Sequence, residues 1–278
     1  MLRHCCCVAL TLVLGIVPLR VQAQRLRFER VKISDTKFEA ASACDVNRDG
    51  KMDIVSGGFW YEGPEFTTQH KIWDVPAQRE YHDDFHDYPM DVNGDGWVDI
   101  VTGGWFSRAL RWLENPKGEG GEWEMHPIAE TGPIETTRFW DVDGDGYVEA
   151  CPNAGGNVVF FRLERDAEGK GKGRFTRHEV KMGGCGHGLG YGDVNGDGRG
   201  DFVAPGGWIE APEDPLAGEW QWHPELKLGG ASVPILVRDV NGDGRSDLIV
   251  GQGHNYGLDW WEQGVDGEGK RTWTKHAI

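Results

Sequence analysis

Beyond residue 24 the apolar residues of this chain fall into short runs, broken by turns rich in glycine, aspartate and asparagine, and nowhere recur at helical spacing. The runs are ordered. One kind precedes an acidic turn, as in Phe139-Trp140 and Ile235-Leu236-Val237, and the next follows that turn and ends in glycines, as in Asp53-Ile-Val-Ser-Gly-Gly58 and Asp99-Ile-Val-Thr-Gly-Gly104. A third reads Leu110-Arg-Trp-Leu-Glu114, Val158-Val-Phe-Phe161 or Leu258-Asp-Trp-Trp261. A fourth sets an aromatic residue three positions before a histidine, at Trp123 and His126, Phe175 and His178, Trp220 and His223, and Trp273 and His276, with a slipped version ending at His70. Branched and aromatic residues bounded by glycine turns predict strands, so each unit is expected to be a four-stranded antiparallel meander. The five histidines of the fourth strand are expected to be structural.

The acidic turn is itself a repeat. The pattern D-V-[ND]-x-D-G-x-x-[DE] starts at Asp45, Asp91, Asp141, Asp193 and Asp239, at intervals of 46, 50, 52 and 46 residues. Oxygen-bearing side chains at its positions 1, 3, 5 and 9, with glycine at 6 permitting a sharp turn, gather the hard ligands that Ca²⁺ requires. The candidate ligands are Asp45, Asn47, Asp49 and Asp53; Asp91, Asn93, Asp95 and Asp99; Asp141, Asp143, Asp145 and Glu149; Asp193, Asn195, Asp197 and Asp201; and Asp239, Asn241, Asp243 and Asp247. Position 12 is never the bidentate glutamate of an EF-hand. Five copies with the ninth acid retained outweigh the simpler view that these are ordinary Asp-Gly and Asn-Gly hairpin turns. The first loop departs from the rest in having Arg48 where the others have glycine, so it is expected to bind calcium most weakly; the third, with four carboxylates, is expected to bind it most tightly.

These loops, with the apolar-Gly-Gly run after each, resemble the FG-GAP and VCBS repeats of integrin-α-like proteins, and the resemblance extends over residues 25–278. It implies an all-β fold, a β-propeller of four-stranded antiparallel blades in which each loop joins the first and second strands and binds calcium. Radial stacking of units that cannot bury both faces alone points the same way. Five repeats are visible, whereas seven blades are usual in the family. Phe28 to Ile33 looks like a sixth fourth strand, so the expectation is an incomplete part of a larger, seven-bladed ring; the alternative is that five blades close and residues 27–33 pack elsewhere.

Charge and composition narrow the function. With 29 Lys and Arg against 45 Asp and Glu the formal charge is -16, which disfavours nucleic acid as a partner. The 42 glycines argue against a helical bundle. Residues 1–23 read as a signal peptide: Arg3 and His4, an apolar stretch from Cys5 to Val17, and a small-residue cleavage pattern at Val21-Gln22-Ala23, leaving residues 24–278 as an exported domain with no membrane span. Removal of Cys5, Cys6 and Cys7 leaves Cys44, Cys151 and Cys185, too few for a closed disulfide framework; Cys44 and Cys151 are expected to be small buried hydrophobes.

His82, His86, His187 and His254 fall outside the repeat, as does Glu135 in another link between units. With Asp84 and Cys185 they are candidates for a second, transition-metal site or for acid-base work; the competing view makes them ordinary loop residues. Trp60, Tyr61, Trp105, Phe106, Trp208 and Tyr256 follow the glycine turns and can stack on sugar rings or pack in the core. The expected function is a calcium-stabilised propeller that binds glycan or protein ligands as an adhesion module. The alternative is an extracellular carbohydrate-active enzyme, a sugar lyase or dehydratase, built on those histidines.

Overall fold

The computed structural model describes residues 27–278 apart from 119, 155, 182 and 183. The segment expected to be a signal peptide therefore lies outside the described residues. Residues 27–32, which belong to a separate unit, take no regular secondary structure, and Ile33–Ile278 form the body of the protein.

That body is all-β. Its first sheet contains β1 (Ser42–Cys44), β2 (Asp53–Ser56), β3 (Phe59–Tyr61) and β4 (Gln69–Lys71), followed by a small hairpin of β5 (Ala77–Gln78) and β6 (Tyr81–His82). The second holds β7 (Asp87–Met90), β8 (Asp99–Gly103), β9 (Ala109–Glu114) and β10 (Glu124–Glu130), and the third β11 (Thr137–Trp140), β12 (Glu149–Pro152), β13 (Val158–Arg165) and β14 (Gly171–Val180). The fourth holds β15 (Gly190–Gly192), β16 (Asp201–Ala204), β17 (Gly207–Glu210) and β18 (Gln221–His223), and the fifth β19 (Ser232–Arg238), β20 (Asp247–Gln252), β21 (Leu258–Val265) and β22 (Arg271–Ala277). Every sheet is the antiparallel meander expected from the strand order, and the acidic loop joins its first and second strands. In all five hairpins the ninth-position acid pairs with the residue just before the first aspartate: Asp53 with Cys44, Asp99 with Met90, Glu149 with Trp140, Asp201 with Gly192 and Asp247 with Arg238.

Strand periodicity explains how the sheets pack. Successive residues of a strand face opposite sides, so a strand covered on both sides reads as a continuous apolar run. In β8, Ile100 enters the core between the first and second sheets, whereas Val101 enters the core between the second and third. In β13, Val158 and Phe160 face the fourth sheet while Val159, Phe161 and Leu163 face the second. In β16, Phe202 faces the third sheet and Val203 the fifth. Full burial of such side chains contributes about 1.5–3 kcal/mol each.

The expected closed propeller is not what forms. Among the described residues there are five separate four-stranded sheets, none closes on itself, and no ladder joins one to the next. Each of the four buried clusters joins consecutive sheets, and none of them joins the fifth to the first. Phe28 to Ile33, expected as a sixth fourth strand, forms none. The physical reason is that each meander pairs its own strands internally, so the repeat pattern specifies a sheet without specifying closure. The calcium-binding propeller module for adhesion, and the seven-bladed ring, are thereby corrected to an all-β domain of open sheets bearing acidic and histidine clusters.

Candidate functional site

The five acidic loops share one internal hydrogen-bond scheme. The first aspartate accepts from the backbone N–H of the sixth-position glycine at 2.9–3.0 Å in every copy, through Asp45, Asp91, Asp141, Asp193 and Asp239. The third-position oxygen accepts from the N–H at position 5, and the fifth-position carboxylate from the N–H at position 7. These contacts turn the short side chains inward. The sixth-position glycines all have φ between 83° and 88°, and position 4 is left-handed too; Arg48, at φ 61°, takes without a glycine the conformation that Gly94, Gly144, Gly196 and Gly242 supply elsewhere.

The ninth-position acids are buried and have a second task. Asp53, Asp99 and Asp201 each accept the loop's second-position N–H with one oxygen and an N–H following the third strand with the other, and Asp247 pairs the second-position N–H with that of Gln263 within the third strand. Glu149 accepts from Val142 N–H at 2.7 Å. Burial, reinforced by the neighbouring loop carboxylates, pushes Asp99 and Glu149 up to about 7 and Asp201 to about 6. Among the described residues, three clusters of side chains can hold a metal ion: Asp141, Asp143 and Glu149; Glu114, Glu124 and His126; and Glu135, His187 and His254.

The repeating histidines are structural, as expected. His70, His126, His178, His223 and His276 stack on their cross-strand partners Trp60, Trp112, Phe160, Trp208 and Trp260, with ring centroids 4.0–5.0 Å apart. In four of them Nε2 meets a glutamate two residues beyond the tryptophan: Glu62, Glu114, Glu210 or Glu262. Glu114, Glu210 and Glu262 in turn accept from the loop asparagines Asn93, Asn195 and Asn241. The Trp-x-Glu spacing behind these pairs recurs in the sequence at Trp60, Trp112, Trp208 and Trp260. In the third repeat both partners change, and Arg162 binds Asp143 and Asp145.

Of the residues outside the repeat, the structure brings together Glu135, His187 and His254. They come from the β10–β11 link, the β14–β15 link and the β20–β21 turn. One ligand-capable atom from each lies within 4.8 Å of the others, and Glu135 Oε2 is in contact with His187 Nδ1. Trp105 lies parallel to His187, with 1° between the rings and 6.1 Å between centroids. These side chains line an open cavity of 430 Å³ together with Gln78, Arg79, Tyr81, Phe85 and Phe106.

Asn153 and Asp83 position this group, and neither stood out in the sequence. Buried Asn153 accepts the N–H groups of Glu135 and Thr136 on Oδ1, at 3.0 and 2.8 Å, and donates through Nδ2 to His187 O at 2.9 Å. Asp83 accepts from Phe106 N–H and Ser107 N–H at 2.8 and 2.9 Å, fixing the turn that presents Trp105.

The remaining candidates do not join them. His82 turns its edge to Phe38, and His86 lies against Phe139 with both ring nitrogens buried and unpartnered. Burial and, secondarily, the charge of Arg111 hold His86 down at about 3, so it is a neutral ring. It lines a different cavity, of 630 Å³, bordered by residues of all five first strands or the chain just before them. Of these five candidates the structure therefore gathers Glu135, His187 and His254 and leaves His82 and His86 apart from them. Asp84 accepts from Thr102 Oγ1 at 2.7 Å in the interior. Cys185 is buried in an apolar cluster, apart from Glu135, His187 and His254, and burial pushes its thiol up to about 12. Cys44 and Cys151 are free and buried, as expected. Trp60, Tyr61 and Trp208 belong to the core, whereas Trp105 and Tyr256 are exposed.

Comparison with known proteins identifies an FG-GAP-like repeat at residues 91–151. No curated protein sequence matches the chain. Among solved structures, an Agrocybe aegerita lectin that recognises non-reducing terminal N-acetylglucosamine is similar with a TM-score of 0.50 and 18% identity, over 88% of this chain and 67% of the lectin. The V. cholerae biofilm matrix protein Bap1 is similar with a TM-score of 0.47 and 17% identity, over 87% of this chain and 39% of Bap1. A Photorhabdus luminescens Tc holotoxin pore follows at 0.36 and 16%, over 86% of this chain and 12% of that one. At such identities the likeness to the lectin is one of fold alone. Among the described residues no helix is long and apolar enough to cross a membrane.

Proposed function

Taking as premise that this chain carries an FG-GAP-like repeat, we propose that it is an exported protein that binds a sugar ring in the cavity beside Trp105. The observation that carries this reading is the juxtaposition of exposed aromatic faces with converging polar groups. Trp105 and Tyr81, both exposed, line the cavity with Phe106, and Arg79, Gln78, Glu135 and His187 supply donors and acceptors around them. Aromatic faces take the apolar C–H face of a sugar, while the polar groups fix its hydroxyls. The similarity in fold to a lectin supports the reading without identifying the sugar. Calcium in the five acidic loops is the second part of the proposal, supported by the short oxygen-bearing side chains that backbone N–H groups hold inward in each hairpin and by the cluster of Asp141, Asp143 and Glu149. Its role is to hold the loops, at a distance from any chemistry.

The test is a glycan array probed with the calcium-loaded protein, followed by calorimetric titration of the strongest hit. Binding that falls at least tenfold in Trp105→Ala supports the reading, whereas an array without hits, or affinity indifferent to Trp105, overturns it.

A further inference from the structure

We propose that Glu135, His187 and His254 bind one divalent first-row transition metal of the Zn²⁺ class, with an open coordination position facing the 430 Å³ cavity. The donor set decides the class of ion. Two imidazoles and one carboxylate suit zinc and its neighbours, whereas calcium and magnesium prefer oxygen alone. The acidic loops offer no imidazole and the cluster of Glu114, Glu124 and His126 offers one, so among the described residues this two-imidazole set is the softest candidate site.

The set is positioned by more than chance proximity. Glu135 and His187 come from different links, and a single buried side chain, Asn153, bonds the backbone of both. His187 is further held by its N–H to Gly230 O at 3.2 Å and by the parallel face of Trp105. It stands between Gly186 and Gly188, which allow its link to run against residues 230–232. A Cβ at Gly188 would lie 2.0 Å from Ser232 O, and one at Gly186, where φ is 57°, would lie 2.9 Å from Gly230 O. His187 Nδ1 and Glu135 Oε2 already meet, so both can turn toward one ion, which would displace the proton between them. His254 sits on an exposed turn with its ring edge-on to His187 at 4.5 Å, free to close the remaining gap.

Three protein ligands and a cavity-facing fourth position are the arrangement that lets a metal accept an oxygen from water or a bound molecule. The metal site stands on its own geometry and does not depend on the sugar reading.

The test uses the full protein in saturating Ca²⁺, so that hard-oxygen sites are filled, and titrates it with Co²⁺ without any sugar. The expected result is one equivalent of Co²⁺ giving the intense visible absorption of a four- or five-coordinate centre, bleached by one equivalent of Zn²⁺. His187→Ala and His254→Ala should each weaken binding at least tenfold. Because His254 lies on an exposed turn, its variant should keep the wild-type thermal midpoint and report on ligation alone. Absence of the band, or a band that survives His254→Ala with unchanged affinity, overturns the proposal. A failed glycan array with a positive cobalt titration would remove the sugar reading and leave the metal site standing.

Discussion

Arg162 grips Asp143 through its Nε, replacing in the third repeat the asparagine-to-glutamate bond that joins Asn93 to Glu114 and Asn195 to Glu210. The exchange is reciprocal: a carboxylate replaces the amide in the loop, and a guanidinium replaces the carboxylate on the strand. Arg162→Glu alone should therefore destabilise the calcium-loaded protein by about 1–2 kcal/mol, since it leaves acids facing one another. Adding Asp143→Asn should recover most of that loss. Urea unfolding of the two single variants and the double variant measures the coupling, and additive effects would show that the pair is independent.

The same bond changes the ranking of the calcium sites. The third loop was expected to be tightest because it has four carboxylates, but Arg162 already neutralises part of that charge at Asp143 and Asp145. Its affinity is now expected to be no higher than that of the second loop. Calcium titrations of variants with one loop disabled at a time, by Asp→Ala at position 1, provide the comparison.

Chelation should lower the thermal midpoint. Each loop gathers carboxylates whose repulsion a cation relieves, and ligand that binds only the folded state at about 100 times its Kd contributes roughly 2.7 kcal/mol per site. Calorimetry in excess EDTA should show a drop of several degrees or more that added Ca²⁺ reverses; an unchanged midpoint would count against loop occupancy.

Asp84 and Asp87 predict a stability that declines as pH rises. Burial raises Asp84 to about 6, with Thr102 and Arg111 opposing, and burial together with the charge of Asp84 raises Asp87 further. Their folded values lie above the unfolded value near 3.8, so the stabilisation is complete below about pH 4 and is lost as pH climbs through 6 and beyond. Asp87→Asn keeps an acceptor for Gly57 N–H, bonded now at 2.9 Å, and removes the buried negative charge. In saturating calcium the variant should be more stable than wild type at pH 8, by about 1–3 kcal/mol, and similar at pH 5. Urea midpoints at the two pH values check the sign.

Gly104 lets Asp83 reach the Trp105 turn. A Cβ at Gly104 would lie 2.2 Å from Asp83 Oδ1, inside the carboxylate that holds Phe106 and Ser107. Gly104→Ala should displace that carboxylate, destabilise the fold by about 2 kcal/mol, and loosen Trp105. Quenching of tryptophan emission by acrylamide, set against the parent protein, reads the second effect.

The meanders were legible because strand content and turn chemistry are local. Asp99-Ile-Val-Thr-Gly is a strand wherever it goes, and glycine at position 6 of each loop announces the turn that its φ confirms. Closure was not legible, since nothing in Phe28 to Ile33 distinguishes a strand completing a distant sheet from a segment of the right composition. The site was half legible. Glu135, His187 and His254 stood out as chemistry outside the repeat, but so did His82 and His86, and only tertiary packing separates a ring facing a cavity from one buried against Phe139. Asn153 was hidden for the opposite reason: a single asparagine after a strand carries no sign that it will bond two links at once.

Among the described residues each buried cluster is confined to a pair of consecutive sheets, so the apolar packing forms an array of four junctions in chain order. Damage then travels by junction. Truncating Phe202, whose ring lies 6.3 Å from Phe160 across the interface of the third and fourth sheets, cuts the array near its middle, and the two lengths can melt at separate denaturant concentrations. Truncating Val55, which packs between the first and second sheets, loosens that junction while the three later clusters keep their packing. Midpoint and steepness of unfolding should thus vary with a substitution's position along the array as much as with the volume it removes.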